Sequence, residues 1–256
     1  MNQRLPFALG AFLQAAVGLA LPSALTAQMT VLSSGGFVDA YQELRPTFEK
    51  AHKVTITTLR GASQGPGPNT IGAQLRRGVH VDGVIMSRDG LKELIAEGRI
   101  AAGTQVDLAR VPLGVAVRAG AARPQIDTIE AFKATLLSPH SIGVQSTSEI
   151  YMMTKLLPKL GIADAIKPKL NNGGAAAIAD GETEMAVLPV SELRNKPGID
   201  FIGTIPQNLQ LVQTFSAAVL KDSKELQLSK QLIAFLASKS SRTAIRNSGM
   251  KPLGSR

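Results

Sequence analysis

The sequence has no cysteine and no tryptophan, and aromatic residues fill only 4% of its 256 positions. Without cysteine there can be no disulfide, no thiolate metal site and no thiol nucleophile. His52, His80 and His140 are the only histidines and stand far apart in the chain. No HExxH-like cluster exists, so a zinc site is not expected. Charged residues are scarce too, at 18% against 44% hydrophobic, which excludes a disordered polyelectrolyte and leaves enough apolar material for one large domain or two small ones. What charge there is leans one way: 28 Lys and Arg against 19 Asp and Glu give a formal +9. A nucleic-acid surface would interleave clustered basic residues with stacking rings. Here the longest basic runs are pairs such as Arg76-Arg77, so no nucleic-acid partner is expected. The surplus reads as steering of small anions.

The amino terminus carries a different signal. Arg4 precedes a run over residues 5–20 that is apolar apart from Gln14, and Pro22 and Ser23 break it before Leu25-Thr26-Ala27. This is the pattern of a secretory signal peptide over residues 1–27, cleaved after about Ala27. The run is shorter than the ~20 residues a membrane span needs. A periplasmic location follows as the expectation, and with no cysteine the exported fold must be held by its core alone.

Beyond it, Met29-Thr30-Val31-Leu32 has strand character and runs into Ser33-Ser34-Gly35-Gly36. Phe37, Tyr41, Leu44 and Phe48 then fall at the spacing of a helix packed on a sheet. Such a junction aims backbone N–H groups and a positive dipole end at whatever lies beyond the strand. It also reads simply as a serine-capped helix. Repetition favours the first reading. Residues 53–59 form a second strand before a Gly/Pro-rich turn with Ser63 and Gln64, and Asn69 caps a short helix after it. Residues 81–86 form a third strand leading to Ser87, Arg88 and a helix. Strand–helix alternation implies a parallel α/β sheet, whose ligands sit beyond the carboxyl ends of the strands. A longer strand over 106–117 is interrupted by Pro112. A second α/β run follows, with a capping box at Asp127 and Glu130, a hydroxyl-rich turn at Ser146-Thr147-Ser148, and a helix that Pro158 ends or bends. Further short strands lead to a β-prone run over 209–220 and two terminal helices.

These motifs give the chain a resemblance to the bacterial periplasmic solute-binding proteins of the molybdate-binding type. It is carried by the opening strand and turn (31–36), the turn with Ser63, Ala73-Gln74-Leu75 with Gly78, the 81–87 strand, Gly143-Val144 before a hydroxyl turn, and the carboxyl-terminal Phe235-Leu236-Ala237-Ser238 and Gly249-Met250-Lys251-Pro252. The resemblance implies an α/β, two-lobed periplasmic-binding-protein-like fold (type II) with a hinged central cleft. Lobe 1 would comprise 28–109 plus 211–256, and lobe 2 110–210. It implies a monomer that binds a small anion, an oxyanion or a carboxylate, and feeds an ABC-type permease. Ligand-binding residues would be Ser33, Ser34, Gly35, Ser63, Gln64, Ser87, Ser146, Thr147, Ser148 and Tyr151. The chain departs from the molybdate binders in placing Arg60 and Arg88 beside two of the turns. A guanidinium matches planar carboxylates two N–H bonds at a time, which favours a carboxylate ligand, a tricarboxylate among them, over molybdate unless these are surface charges. One branch resembles a periplasmic aconitate isomerase, the alternative function, which would transfer a proton between the cis and trans isomers without a cofactor.

Two further patterns bear on chemistry. Gly61-Ala62-Ser63-Gln64-Gly65 matches the GxSxG of a hydrolase elbow, but Pro66-Gly67-Pro68 forbids the helix that must follow, so a serine hydrolase is not expected. Glu149 stands one residue past the Ser146-Thr147-Ser148 turn. It reads as a first-turn acid that suits the helix dipole or, in an isomerase, as the base that takes the proton.

Overall fold

The computed structural model describes residues 27–253; all but the last residue of the 1–27 segment read as a signal peptide lies outside them. Strand β1 (Ala27–Ser33) feeds helix α1 (Gly35–His52), which returns to β2 (Val54–Arg60), parallel to β1 along its whole length. The apolar stripe does what its spacing requires: Phe37, Tyr41, Leu44 and Phe48 are all buried. Each such burial contributes roughly 1.5–3 kcal/mol, more than the isolated helix could supply by propensity. Lys53, in the left-handed region (φ 52°), turns the chain out of α1. After the Gly/Pro-rich turn comes α2 (Ile71–Arg76), capped by Thr70, whose hydroxyl accepts from the Ala73 N–H at 3.2 Å. Asn69 had been expected in that role; the adjacent hydroxyl takes it. Strand β3 (Gly83–Ser87) then passes directly into α3 (Arg88–Ala96).

Strand β4 (Val106–Arg118) is the longest of the described strands and is shared by two halves. Up to Pro112 it pairs antiparallel with β9 (Val212–Val219); from Leu113 on it pairs with β7 (Met185–Pro189) and β8 (Ile199–Thr204). Pro112, with no N–H to give, sits where the partner changes. Between these strands lie α4 (Ile129–Leu137), β5 (Ile142–Gly143) and α5 (Ser146–Tyr151). Thr128 caps α4 by accepting from the Ala131 N–H at 3.1 Å, in place of the expected Asp127. Helix α5 widens into a π turn over Met152–Leu156 and closes as α6 (Leu157–Leu160), with Pro158 in that last turn. Next come α7 (Ala163–Ile166), β6 (Leu170–Asn171), α8 (Ala175–Asp180) and, after β7, the one-turn helix α9 (Val190–Leu193). The chain ends with α10 (Leu226–Leu236), α11 (Arg242–Asn247) and β10 (Lys251–Pro252), which rejoins β4.

The described strands run β2-β1-β3-β9-β4-β7-β5-β6. Each half of this path carries helices on both faces. In the first half α1, α10 and α11 bury one apolar cluster and α2 and α3 another. In the second half α4 to α7 cover one face, while α8, α9 and β8 cover the other. The result is the α/β, two-lobed fold with a cleft between the lobes that the resemblance implied. Among the described residues no helix is long and apolar enough to cross a membrane.

Candidate functional site

A cavity of about 700 Å³ opens where the strand exits of both lobes meet. From the first lobe it is lined by Ser34, Gly35, Arg60, Ser63, Gln64 and the 65–70 turn, and from the second by Ser146, Thr147, Ser148 and Glu149. Asn172, Glu192, Gln213 and Phe215 complete the wall.

The most suitable place for an anion is the start of α1. Ser34 occupies the N-cap position, yet its hydroxyl caps nothing. It is 3% exposed, lines the cavity and, among the described residues, has no hydrogen-bond partner. A buried hydroxyl without a partner costs about 1–3 kcal/mol, which a ligand oxygen would relieve. It stands beside the first N–H groups of an eighteen-residue helix, where the dipole favours negative charge. Gly36 lets the turn lie flat on Phe215: a Cβ there would come 2.1 Å from the ring.

Several hydroxyls that the sequence points to are spent on holding the lobes together. The Thr147 hydroxyl donates to Gln64 Oε1 at 2.9 Å and lies 3.0 Å from Ser87 Oγ. The Gln64 N–H donates to Ser146 Oγ at 3.0 Å, and Gln213 Nε2 donates to Ser148 Oγ at 3.0 Å. Ser146 adopts φ 54°, a conformation non-glycine residues rarely hold, at the point where its hydroxyl reaches across the cleft. Ser63 accepts from the Ser87 N–H at 2.8 Å, tying two strand exits of one lobe together, with no helix following it. The hydrolase elbow is therefore absent.

Four expected ligand residues do not line the cavity. Ser33 is fully buried and its hydroxyl donates to the Ser34 carbonyl at 3.2 Å. Ser87 caps α3 by accepting from the Gly90 N–H. Arg88 is ion-paired with Asp107 on β4, a partner no local pattern reveals. Tyr151 donates to the Leu209 carbonyl at 2.8 Å, and burial pushes its phenol up from the ordinary value. Arg60 differs: it lines the cavity from the end of β2, and among the described lining residues it is the only cation.

Glu192 went unnoticed in the sequence. It follows Pro189, the end of β7, and reaches the cavity from α9. A Cβ on Gly35 would stand 3.0 Å from its Oε2, so the carboxylate lies against the first residue of α1. Burial raises its pKa to about 7; Arg60 and then Lys196 pull it down, and Asp39 pushes it up. The strand-exit rule that picks out Ser87 and Ser146 reaches it as well, since Glu192 stands three residues past the end of β7.

Known proteins share this fold. Residues 29–251 match the family described as bacterial extracellular solute-binding protein. A curated aconitate isomerase from a Pseudomonas species is 35% identical over 259 residues, covering 99% of this chain and 98% of its own length. The periplasmic molybdate-binding protein of Azotobacter vinelandii superposes with a TM-score of 0.67 at 16% identity, over 87% of this chain and 98% of that one. The sulfate-binding protein of Mycobacterium tuberculosis H37Rv gives 0.70 at 15% identity, over 89% and 87%. A sheet shared by two lobes, a cleft at its strand exits and a match along nearly all the described residues lead to one conclusion: the chain belongs to the bacterial extracellular solute-binding protein family.

Proposed function

We propose that the cleft binds a tricarboxylate and interconverts cis- and trans-aconitate by cofactor-free proton transfer, outside the cytoplasm and as a monomer. The observation that carries this reading is a pair of carboxylates, Glu149 and Glu192, in a cavity otherwise suited to anions. A protein that only holds a polyanion loses affinity by placing acids beside it, because like charges repel most strongly where water is excluded. An isomerase needs such a group, within reach of a carbon acid and able to exist in both protonation states at working pH. The isomerase relative, alike over nearly its whole length, supports the same substrate class.

Arg60 would clamp one ligand carboxylate through paired N–H bonds, and the Ser34 hydroxyl with the N–H groups opening α1 would take another. Both positions stabilise the charge that spreads onto the carboxylates once a proton leaves carbon. Removing a methylene proton and returning one to the far end of the double bond needs no oxidant and no second substrate. The test is to supply pure trans-aconitate, and separately pure cis-aconitate, to the purified protein and separate the products by chromatography. Approach to one equilibrium mixture from both sides is expected. Absence of conversion from either side contradicts the proposal.

Family membership favours a second reading, delivery of a bound anion to an ABC-type permease. It predicts tight, unreactive binding in the same assay.

A further inference from the structure

We propose that Glu192, on the turn after β7, is the catalytic acid–base of the cleft: the group that takes the proton from the substrate methylene and returns it to the other end of the allylic system. This rests on the isomerase reading above, and it moves the chemistry from Glu149, where the sequence points, to a residue that only the fold brings to the site.

The argument begins with position. The Glu192 carboxylate lies against Gly35, where a Cβ would stand 3.0 Å from Oε2 and 3.3 Å from Cδ. Gly35 opens α1, so any ligand oxygen received by the first N–H groups of that helix lies next to this carboxylate. The unpartnered Ser34 hydroxyl is on the same rim. A substrate carboxylate docked there places its adjoining carbon toward Glu192, as a carbon acid and its base require. The second consideration is freedom. Among the described residues no hydrogen bond or ion pair holds the Glu192 carboxylate, so it is available to a ligand.

Its electrostatic surroundings suit the task. Arg60 faces it from β2, Asp39 from α1 and Lys196 from the segment after α9, while Glu149 lines the same cavity from α5. Asp39 and Lys196 are paired with each other across the lobes, at 2.5 Å, which leaves Arg60 as the cation open to substrate. Burial is the largest influence and raises the group to about 7, where both protonation states are populated near neutral pH.

The step balances without a co-reactant. The carboxylate takes a proton from the methylene carbon, and that C–H pair becomes the new C=C bond. The pair of the old double bond then forms a C–H bond with the proton held on Glu192, or with a solvent proton exchanged onto it. Between the two transfers the negative charge rests on carboxylates held by Arg60 and the start of α1.

The experiment compares the wild type with Glu192→Gln, which keeps shape and removes the base, and with Glu149→Gln. Turnover of trans-aconitate is followed from pH 5.5 to 8.5, and binding of citrate, a tricarboxylate without the reactive double bond, by calorimetry over the same range. In the wild type kcat should rise with pH while citrate affinity falls, by up to tenfold per unit, as the group ionises beside the anion. Glu192→Gln should lower kcat by about 100-fold or more, retain citrate binding and abolish its pH dependence. A kcat within about threefold of wild type in Glu192→Gln, with Glu149→Gln inactive, overturns the assignment and leaves the isomerase reading intact. Citrate binding with no turnover in the wild type overturns both. If Glu192→Gln does not fold, Glu192→Asp carries the test: a lowered kcat with a displaced pH profile supports the assignment, and an unchanged rate and profile defeat it.

Discussion

At the scale of single residues the cleft is defined by how Arg60, Glu192 and Gly35 share a small volume. Arg60 lowers the proton affinity of Glu192, so its removal has two effects. Arg60→Ala should weaken citrate binding by about 1.5–3 kcal/mol, the usual range for hydrogen bonds to charged groups. It should also move the apparent pKa of turnover upward. Unchanged affinity for every carboxylate, measured by calorimetry, would return Arg60 to the surface. Gly35 is required for space rather than conformation, since its Cβ would press on the flexible end of Glu192. Gly35→Ala should therefore leave thermal stability nearly unchanged, alanine being the better helix former by about 0.5–1 kcal/mol, while turnover drops as the carboxylate is pushed aside. Glu192 also affects folding. The folded chain keeps its proton up to about pH 7, against the ordinary value of 4.5. It thus binds more protons than the unfolded chain between those values, and stability falls as pH rises through that window. One pKa unit corresponds to about 1.4 kcal/mol, and water in the open cleft reduces the total to about 1–2 kcal/mol. Urea titrations should find Glu192→Gln more stable than wild type by that amount at pH 8, with the gap closing toward pH 4.5.

At the scale of elements, the strand–helix turns do two jobs that the sequence does not separate. Hydroxyls at Ser34, Ser63, Ser87, Ser146, Thr147 and Ser148 look alike in the chain. In three dimensions Ser34 is left unpartnered while Thr147 joins Gln64 and Ser87 across the cleft. Which of them is free depends on contacts between residues 60 to 83 positions apart. Thr147→Val should remove one such closure bond, worth about 0.5–1.5 kcal/mol, and lower ligand affinity by up to about tenfold. Small-angle scattering of the unliganded variant should give a larger radius of gyration. An unchanged radius and affinity would show that the bridge does not hold the lobes. What was legible beforehand was local: the Phe37, Tyr41, Leu44, Phe48 stripe, the alternation of strands and helices, and the break at Pro112 all follow from short-range periodicity and backbone chemistry. Capping was legible only to the nearest neighbour, because Thr70 and Thr128 each stand beside another capable side chain. Glu192 was hidden because α9 is a single turn with no periodicity to mark a face. The partner of Arg88 was hidden because Asp107 lies on another strand.

At the scale of the whole molecule, one sheet passes through both lobes, and β4 and β9 carry the chain between them. Ligand held between the lobes stabilises only the closed, folded form. A tricarboxylate at 100 times Kd should therefore add about 2.7 kcal/mol to the unfolding free energy. A thermal-shift panel of citrate, both aconitates, molybdate and sulfate ranks the ligand classes, with tricarboxylates expected first. The strongest test of the central claim follows the proton itself. The purified protein is incubated with trans-aconitate in deuterated water and the mixture is observed by proton NMR. Proton transfer through Glu192 predicts cis-aconitate accumulating with deuterium at the carbons that exchange roles, and neither conversion nor label with Glu192→Gln. Tightly bound trans-aconitate that stays unlabelled and unconverted in the wild type would contradict the account and leave a protein that only carries its anion.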